Sequence, residues 1–196
     1  MSTILGPVTL VGQVVRLEPL RPEHAPGLLL AGQTPEIWEH LSVQADNRQA
    51  LDDYIAAAQQ AEAEGREYTF AVIAAASGRV LGSTRYLDVN HAHRTLEIGW
   101  TWYVPDTWGT AVNAEAKLLL LRHAFEDWHA IRVSLITDVR NLHSQAAIRK
   151  LGASYEGTLR QHRIRRDGSY RDTVVFSIVD GEWPAVEAGL LARLAR

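Results

Sequence analysis

The most restrictive stretch of this 196-residue chain runs from residue 96 to residue 152, where strand, loop, helix, strand and helix follow one another. Residues 96–104 alternate. Leu96, Ile98, Trp100 and Trp102 fall on one face, Glu97, Gly99, Thr101 and Tyr103 on the other. Pro105 stops that strand. Residues 115–128 predict a helix, and the run Leu118–Leu121 puts apolar side chains on more than one face, so it is expected to be buried on two sides. Residues 131–137 predict a short buried strand. Residues 141–151 predict a helix with Asn141 as N-cap and Gly152 as its stop.

The flanking sequence fills in around this block. Strands are expected at 14–17, 68–75, 80–87, 155–165 and 170–179, with tight turns at Ser77-Gly78 and Asp167-Gly168. Helices are expected at 22–31, 47–64 and 182–194, the second on the spacing of Leu51, Tyr54, Ile55, Ala58 and Ala61. Helices and strands are interspersed, so the class is α/β or α+β with a mixed sheet. The length suits one domain, residues 1–196.

Composition excludes several chemistries. There is no cysteine, which removes disulfides, thiolate metal sites and a cysteine nucleophile. No apolar run approaches the roughly 18–20 residues that cross a bilayer, and the N-terminus lacks a basic segment followed by a long apolar one. No membrane association and a cytoplasmic location follow as expectations. The net charge of −3 argues against global attraction to nucleic acid. The charge is uneven, though. Residues 36–67 are acidic against only Arg48 and Arg66, and residues 149–171 are basic against only Glu156 and Asp167. Each end reads equally as a solvated face.

The loop PDTWGTAVN, residues 105–113, leads into a helix N-terminus, where main-chain N–H groups and the helix dipole favour an anion. Gly109, Thr110 and Ala111 are small enough to let a ligand reach the backbone. No Gly-Lys-Ser/Thr follows, so this is not a Walker loop, and the G-x-G-x-x-G dinucleotide pattern is absent. His91 and His93 form an H-x-H pair, but no further ligands are in view, and no metal site is expected.

With EIGW at 97–100, the 105–113 loop and N-x-x-S-x-x-A-x-x-K-L-G-A from Asn141 to Ala153, the chain resembles the GNAT N-acetyltransferase superfamily in its RimJ/RimL-type branch. The likeness extends from VVRLEPL at 14–20 to DGEWP at 180–184. It implies a mixed, mostly antiparallel sheet of about six to seven strands with helices on both faces. The parallel strands 96–104 and 131–137 are expected to splay apart. It further implies acetyl-CoA as co-substrate. Its pantetheine arm bonds the backbone of Trp102, Tyr103 and Val104, its pyrophosphate sits on the N–H groups of Trp108, Gly109, Thr110, Ala111, Val112 and Asn113, and its thiol end meets Asn141 and Ser144. Members of the branch are often dimers, which makes a homodimer an expectation here.

The chain departs from the family in two places. Where the family loop reads Q/R-x-x-G-x-G/A, Trp108 replaces the polar first residue, Ala111 the fourth-position glycine and Asn113 the last small residue. No proline enters, so the donors survive, while Ala111 restricts positive φ. Trp108 is the one tryptophan read as covering the ligand or packing at a dimer seam; the others read as core or interface. Where many members carry a tyrosine near the sulfur, this chain has Ile148, leaving Ser144 as the hydroxyl that meets the departing thiolate. The bland alternative is that Ser144 satisfies a helix N-terminal N–H.

Amide formation needs a neutral amine. An α-amine near pKa 8 is easily deprotonated, and a lysine near 10.4 costs roughly 3 kcal/mol more. A carboxylate of raised pKa meets this need. Glu97 is the first candidate, in keeping with a glutamate that the family often places at this strand position; the alternative is a surface salt bridge. Tyr103, expected on Glu97's face, is a candidate for orienting the substrate. The family's acceptor enters near the first two helices, here the acidic stretch, which would favour a cationic amine, either a small molecule or a protein N-terminus. Two rival classes stay open: a non-catalytic acyl-CoA-binding or sensing module, and an RNA-associated protein using the basic stretch 160–171, which could equally reach the CoA 3′-phosphate.

Overall fold

The computed structural model describes residues 5–195. Residues 1–4 of the N-terminal stretch, read above as lacking a signal sequence, lie outside them. The elements run β1 (Leu10–Val11), β2 (Val15–Pro19), α1 (Ala25–Ala31), α2 (Arg48–Ala63), β3 (Tyr68–Ala74), β4 (Val80–Asn90), β5 (Thr95–Tyr103), α3 (Ala111–Arg122), β6 (Arg132–Asp138), α4 (Leu142–Lys150), β7 (Ser154–Ile164), β8 (Tyr170–Val179) and α5 (Trp183–Leu194). Eight strands form one sheet in the order β1-β2-β3-β4-β5-β6-β8-β7. The expected mixed sheet is present. The eighth strand is the two-residue β1, too short to leave a periodic signal.

Two cores sandwich the sheet. One holds Val133, Leu135, Phe176 and Ile178 from the strands against α3, Trp183 and Leu190. The other packs α1, α2 and Trp38 against Ala71, Ile73 and Trp102. Helix α3 is buried along nearly its whole length, as the leucine run predicts. It begins four residues earlier than expected, because Thr110 caps it, its hydroxyl accepting from Val112 N at 3.3 Å. Past Arg122 the helix loosens into a π turn over His123–Asp127. The Glu115 carboxylate clamps α3 to the start of β2. It accepts from Gln13 N, Val14 N and Val15 N at 2.9, 2.6 and 2.7 Å.

One parallel contact holds the two halves of the sheet together. β5 pairs with β6 only through Thr95↔Arg132, Leu96↔Val133 and Glu97↔Ser134. Beyond that point β5 stays with β4 and β6 stays with β8, so the two strands part.

The register of β5 overturns part of the alternation read from sequence. Gly99 pairs with Arg85, but Trp102 pairs with Ser83, so one extra residue enters β5 between them. Trp100 takes a positive φ of 48° there, the geometry of a β-bulge. Faces therefore exchange beyond Gly99. Tyr103 joins Leu96 and Ile98 in the first core, and Trp102 joins the second, on Glu97's side.

Lys117 is the one buried lysine of the core, 5% exposed on α3. Its ammonium donates to the hydroxyls of Thr101 at 2.6 Å and Thr84 at 3.2 Å. Two neutral partners offset about 1 kcal/mol each, well short of the several kcal/mol of desolvation. Burial accordingly lowers its pKa to about 7. The folded value lies below the unfolded one, so stability is lost as pH falls from about 10.5 to about 7. Without the lysine, Thr84 and Thr101 still bond each other at 2.8 Å. Lys117→Met is therefore expected to stabilise the fold by on the order of 2 kcal/mol or more below pH 7, with the gain fading above pH 10. Denaturant titrations across that range read it, and a pH-independent difference would contradict it.

Candidate active site

The fork between β5 and β6 opens toward the N-termini of α3 and α4. Edge groups that a sheet would normally pair are left free there. Val104 N is already spent on Leu81 O of β4, at 2.8 Å. Alternation along the strand then turns the N–H and C=O of Tyr103 toward the gap. Of the three residues expected to present main-chain groups there, Tyr103 turns its groups to the gap, its carbonyl already accepting from Trp108, whereas those of Trp102 and Val104 N turn to β4.

The loop after β5 makes one turn over Pro105–Thr107 before α3. Gly109 sits at φ +77°, which favours glycine, with nothing within 4 Å of an added Cβ. Ala111 is the first residue of α3 and is not among the positive-φ residues. Alanine therefore costs no backbone strain there, contrary to the expected restriction. Val112 and Asn113 lie inside the first helical turn, where N–H groups have no carbonyl one turn back. Thr110 is the N-cap, and its hydroxyl also donates to Thr107 O at 2.6 Å.

Trp108 is 44% exposed and bridges the cleft's two lips. Its indole N–H donates to Tyr103 O at 2.9 Å. Its ring lies tilted against His143 of α4, centroids 6.2 Å apart. At α4, Asn141 is the N-cap as expected, its side-chain oxygen accepting from Ser144 N at 2.9 Å. Capping is thus done by Asn141. The half-buried Ser144 hydroxyl makes no hydrogen bond among the described residues. Ile148 is buried in the core.

Glu97 stands at the last paired position of β5 and β6. It is 7% exposed, not a surface salt-bridge residue. Burial first, and Asp88 second, raise its carboxyl to about 7, with Arg163 and Arg171 pulling the other way. Gly99 makes room for it: a Cβ there would meet Glu97 Oε1 at 2.8 Å and Leu87 Cδ2 at 3.1 Å. Glu97 and Trp102 share a face, and Tyr103 does not belong with Glu97 as expected. Burial raises the Tyr103 phenol on the opposite side, where its oxygen has no partner.

Four carboxylates of the acidic stretch are neutralised by arginines, while Glu39 borders a cleft beside the β7–β8 hairpin. Asp52 pairs with Arg48, Glu62 with Arg21, Glu64 with Arg66 and Glu67 with Arg85. The basic stretch is only partly a solvated face. Arg163 and Arg171 pair across β7 and β8 on the side that Glu97 and Asp138 share. Asp138, overlooked in the sequence, is buried at the end of β6 and grips Arg165 at 2.6 and 2.9 Å. Its signal is a lone acid ending a buried strand just before an N-cap. His91 packs its ring on Trp128, 5.8 Å between centroids, and no group of three metal-ligating side chains occurs among the described residues. Nor is any described helix long and apolar enough to cross a membrane.

Residues 15–154 match the family model for an acetyltransferase (GNAT) domain. A "putative acetyltransferase" from T. thermophilus, known from its crystal structure, is 38% identical, with a TM-score of 0.87 over 97% of this chain and 98% of that one. A GCN5-related N-acetyltransferase from Brucella melitensis gives 27% and 0.91 over 98% and 87%. Mycobacterium smegmatis RimJ, in complex with CoA-disulfide, shares the fold at 22% and 0.79 over 96% and 93%. Among curated proteins, the Bacillus subtilis "Putative ribosomal N-acetyltransferase YdaF" is 27% identical over 106 residues, 54% of this chain and 57% of that protein. The chain thus matches little more than half of that relative's length.

A carbon-13 titration of the Glu97 carboxyl should show a midpoint near pH 7; one near 4.5 would contradict the burial argument. The raised pKa costs stability as pH rises from about 4.5 to about 7. Glu97→Gln should therefore gain on the wild type over that interval. Gly99→Ala should keep the fold, because the clashing atom ends a flexible side chain, and should displace this titration.

Proposed function

The chain belongs to the GNAT acetyltransferase family, and on that premise we propose that it carries an acetyl group from acetyl-CoA to a primary amine by direct attack in a ternary complex. One observation carries this reading: the acid of neutral pKa, Glu97, stands where the two parallel strands part. A single point in the fold then adjoins both a thioester held in the gap and an amine arriving from the Glu97 face.

The pyrophosphate is assigned to the loop from Trp108 to Asn113, where the helix dipole favours an anion; the N–H groups of Trp108, Thr110 and Val112 already donate to Pro105 O, Thr107 O and the Thr110 hydroxyl, which leaves those of Gly109, Ala111 and Asn113 for the ligand. The carrier arm is assigned to the main-chain groups of Tyr103 that β5 turns toward the gap, the N–H and, once released, the carbonyl. For the arm to bond Tyr103 O, the Trp108 indole must first let go. Asn141 holds the start of α4, which brings Ser144 to the thiol end.

In the chemical step Glu97 takes a proton from the ammonium, directly or through one water. The freed nitrogen pair attacks the thioester carbonyl, a C–N bond forms and the C–S bond breaks. The departing sulfur keeps the bonding pair and is met by the Ser144 hydroxyl. The second nitrogen proton leaves as the amide forms, and the departing sulfur takes up a proton by way of the Ser144 hydroxyl, so that free thiol is released. With no cysteine in the chain, no acyl group rests on a protein thiol. A base of pKa about 7 is matched to neutral pH.

The acceptor is a protein N-terminal α-amine or a small-molecule amine. The name of the Bacillus subtilis relative makes ribosomal N-terminal peptides the first panel to try. A cytoplasmic, homodimeric enzyme completes the reading.

Thiol release from acetyl-CoA over a panel of amines and peptides tests it. Turnover should rise with pH through about 7. Glu97→Gln should lower kcat by about 10²- to 10⁴-fold with CoA affinity kept, and Ser144→Ala should lower kcat more than it raises the acetyl-CoA KM. Binding of CoA with no turnover on any amine would favour the non-catalytic sensing module instead.

A further inference from the structure

The second core holds no residue of β6, β7 or β8. On the Glu97 face, that half of the sheet borders residues 39–42 across a cleft of about 150 Å³. Its other wall comes from Asp138 and the β7–β8 hairpin, including Arg163, Arg165, Arg166 and Arg171. The carboxylates there do not balance these charges. Asp138 is engaged by Arg165 and by Arg140 N. Asp167 bonds Ser169 N at the exposed turn, and Glu39 is 68% exposed beside His40. Arg166 bonds neutral acceptors, Gln44 Oε1 and Trp38 O.

Arg163 and Arg171 are left over. They face each other in register across β7 and β8. The Arg171 side chain is 13% exposed, and its Nε lies 4.0 Å from Asp138 Oδ2, too far for a hydrogen bond. That Nε is buried without a partner, as is the hydroxyl of fully buried Thr173 two residues along the same strand face. Arg163 forms no ion pair among the described residues. A buried guanidinium beside a second one is costly unless an anion joins them. Burial first, and Arg163 second, work against the charge of Arg171, more than Asp138 and Glu97 support it. Both arginines lie on the sheet face that carries Glu97, and their charges act on its carboxyl.

We propose that Arg163 and Arg171 form a carboxylate-binding subsite on the Glu97 face of the sheet, so that the preferred acceptor carries a carboxylate as well as its amine. This rests on the acetyltransferase reading and narrows its substrate class. A guanidinium pair suits a planar carboxylate, which it grips by parallel N–H bonds. The subsite adds an anionic group to the cationic amine that the acidic stretch is expected to favour. The carboxylate has two sources, the α-carboxylate of a free amino acid or an acidic side chain next to a peptide N-terminus.

The test compares kcat/KM for matched acceptors. One arm sets free amino acids against their amides, and the other sets Ser-Glu-amide against Ser-Gln-amide. Each ratio is measured in the wild type, in Arg163→Gln, in Arg171→Gln and in Arg171→Lys. Differences in amine pKa are common to all the enzymes, so the change in ratio isolates the arginines. The wild type should favour the carboxylate by about 10- to 100-fold in at least one arm, mainly through KM. Both glutamine variants should bring that preference near unity, and Arg171→Lys should keep part of it. Melting curves check the fold, and half-buried Arg163, on the edge strand, gives the variant least exposed to misfolding. Acetylation of amines with no carboxylate preference, or a preference untouched by both glutamine variants, overturns the subsite. Absence of turnover on every amine overturns the acetyltransferase reading and the subsite with it.

Discussion

Three residue pairs between β5 and β6 are the hinge of this structure. Each strand has a stronger commitment elsewhere, β5 to β4 and β6 to β8 along their lengths. A parallel contact between strands committed in this way ends as soon as their directions diverge. The bulge at Trp100 adds local twist just beyond the parting. The result is a gap edged by main-chain groups that no strand satisfies, closed at one end by Glu97 and open at the other toward two helix N-termini. The expected chemistry follows from that shape. A long polar arm is matched by strand amides, and an anion by the first turn of α3.

The same geometry explains why the interior carries charge. Glu115 is buried, but three N–H groups of the β1–β2 turn satisfy it, and in return it fixes α3 against the sheet edge. Lys117 has only two hydroxyls, and burial wins over its charge. Glu97 has no hydrogen-bonding partner among the described residues, and burial lifts its carboxyl to about 7. All three are buried and differ in their partners, so burial alone is a poor guide to function. Glu97 differs from the other two in standing where strands separate.

Much of this was legible in the residues. The block from 96 to 152 gave its strands and helices, Asn141 its cap, and the leucine run the two-sided burial of α3. Resemblance to the family supplied the splay, which periodicity does not encode. Two features escaped for physical reasons. A bulge on a non-glycine residue leaves a period-two pattern looking unbroken, so Trp102 and Tyr103 were assigned to each other's faces. The early start of α3 escaped because small and β-branched residues at 110–113 read as loop until Thr110 is seen to cap them. At the site, Glu97, Asn141 and the loop stand out as candidates by residue type and position together with the family resemblance. Asp138 and the inward set of arginines do not, since a basic run looks the same whether its side chains face solvent or a cleft.

The central claim is that the fork grips a CoA thioester's carrier arm with main-chain groups. Backbone amide NMR during a titration with CoA tests it residue by residue. The account predicts saturable shifts concentrated at residues 99–104 and 108–113 and at the start of α4, with the Trp108 indole N–H moving as its bond to Tyr103 O is exchanged. Saturable binding that leaves those amides unmoved, or no binding at all, would contradict it.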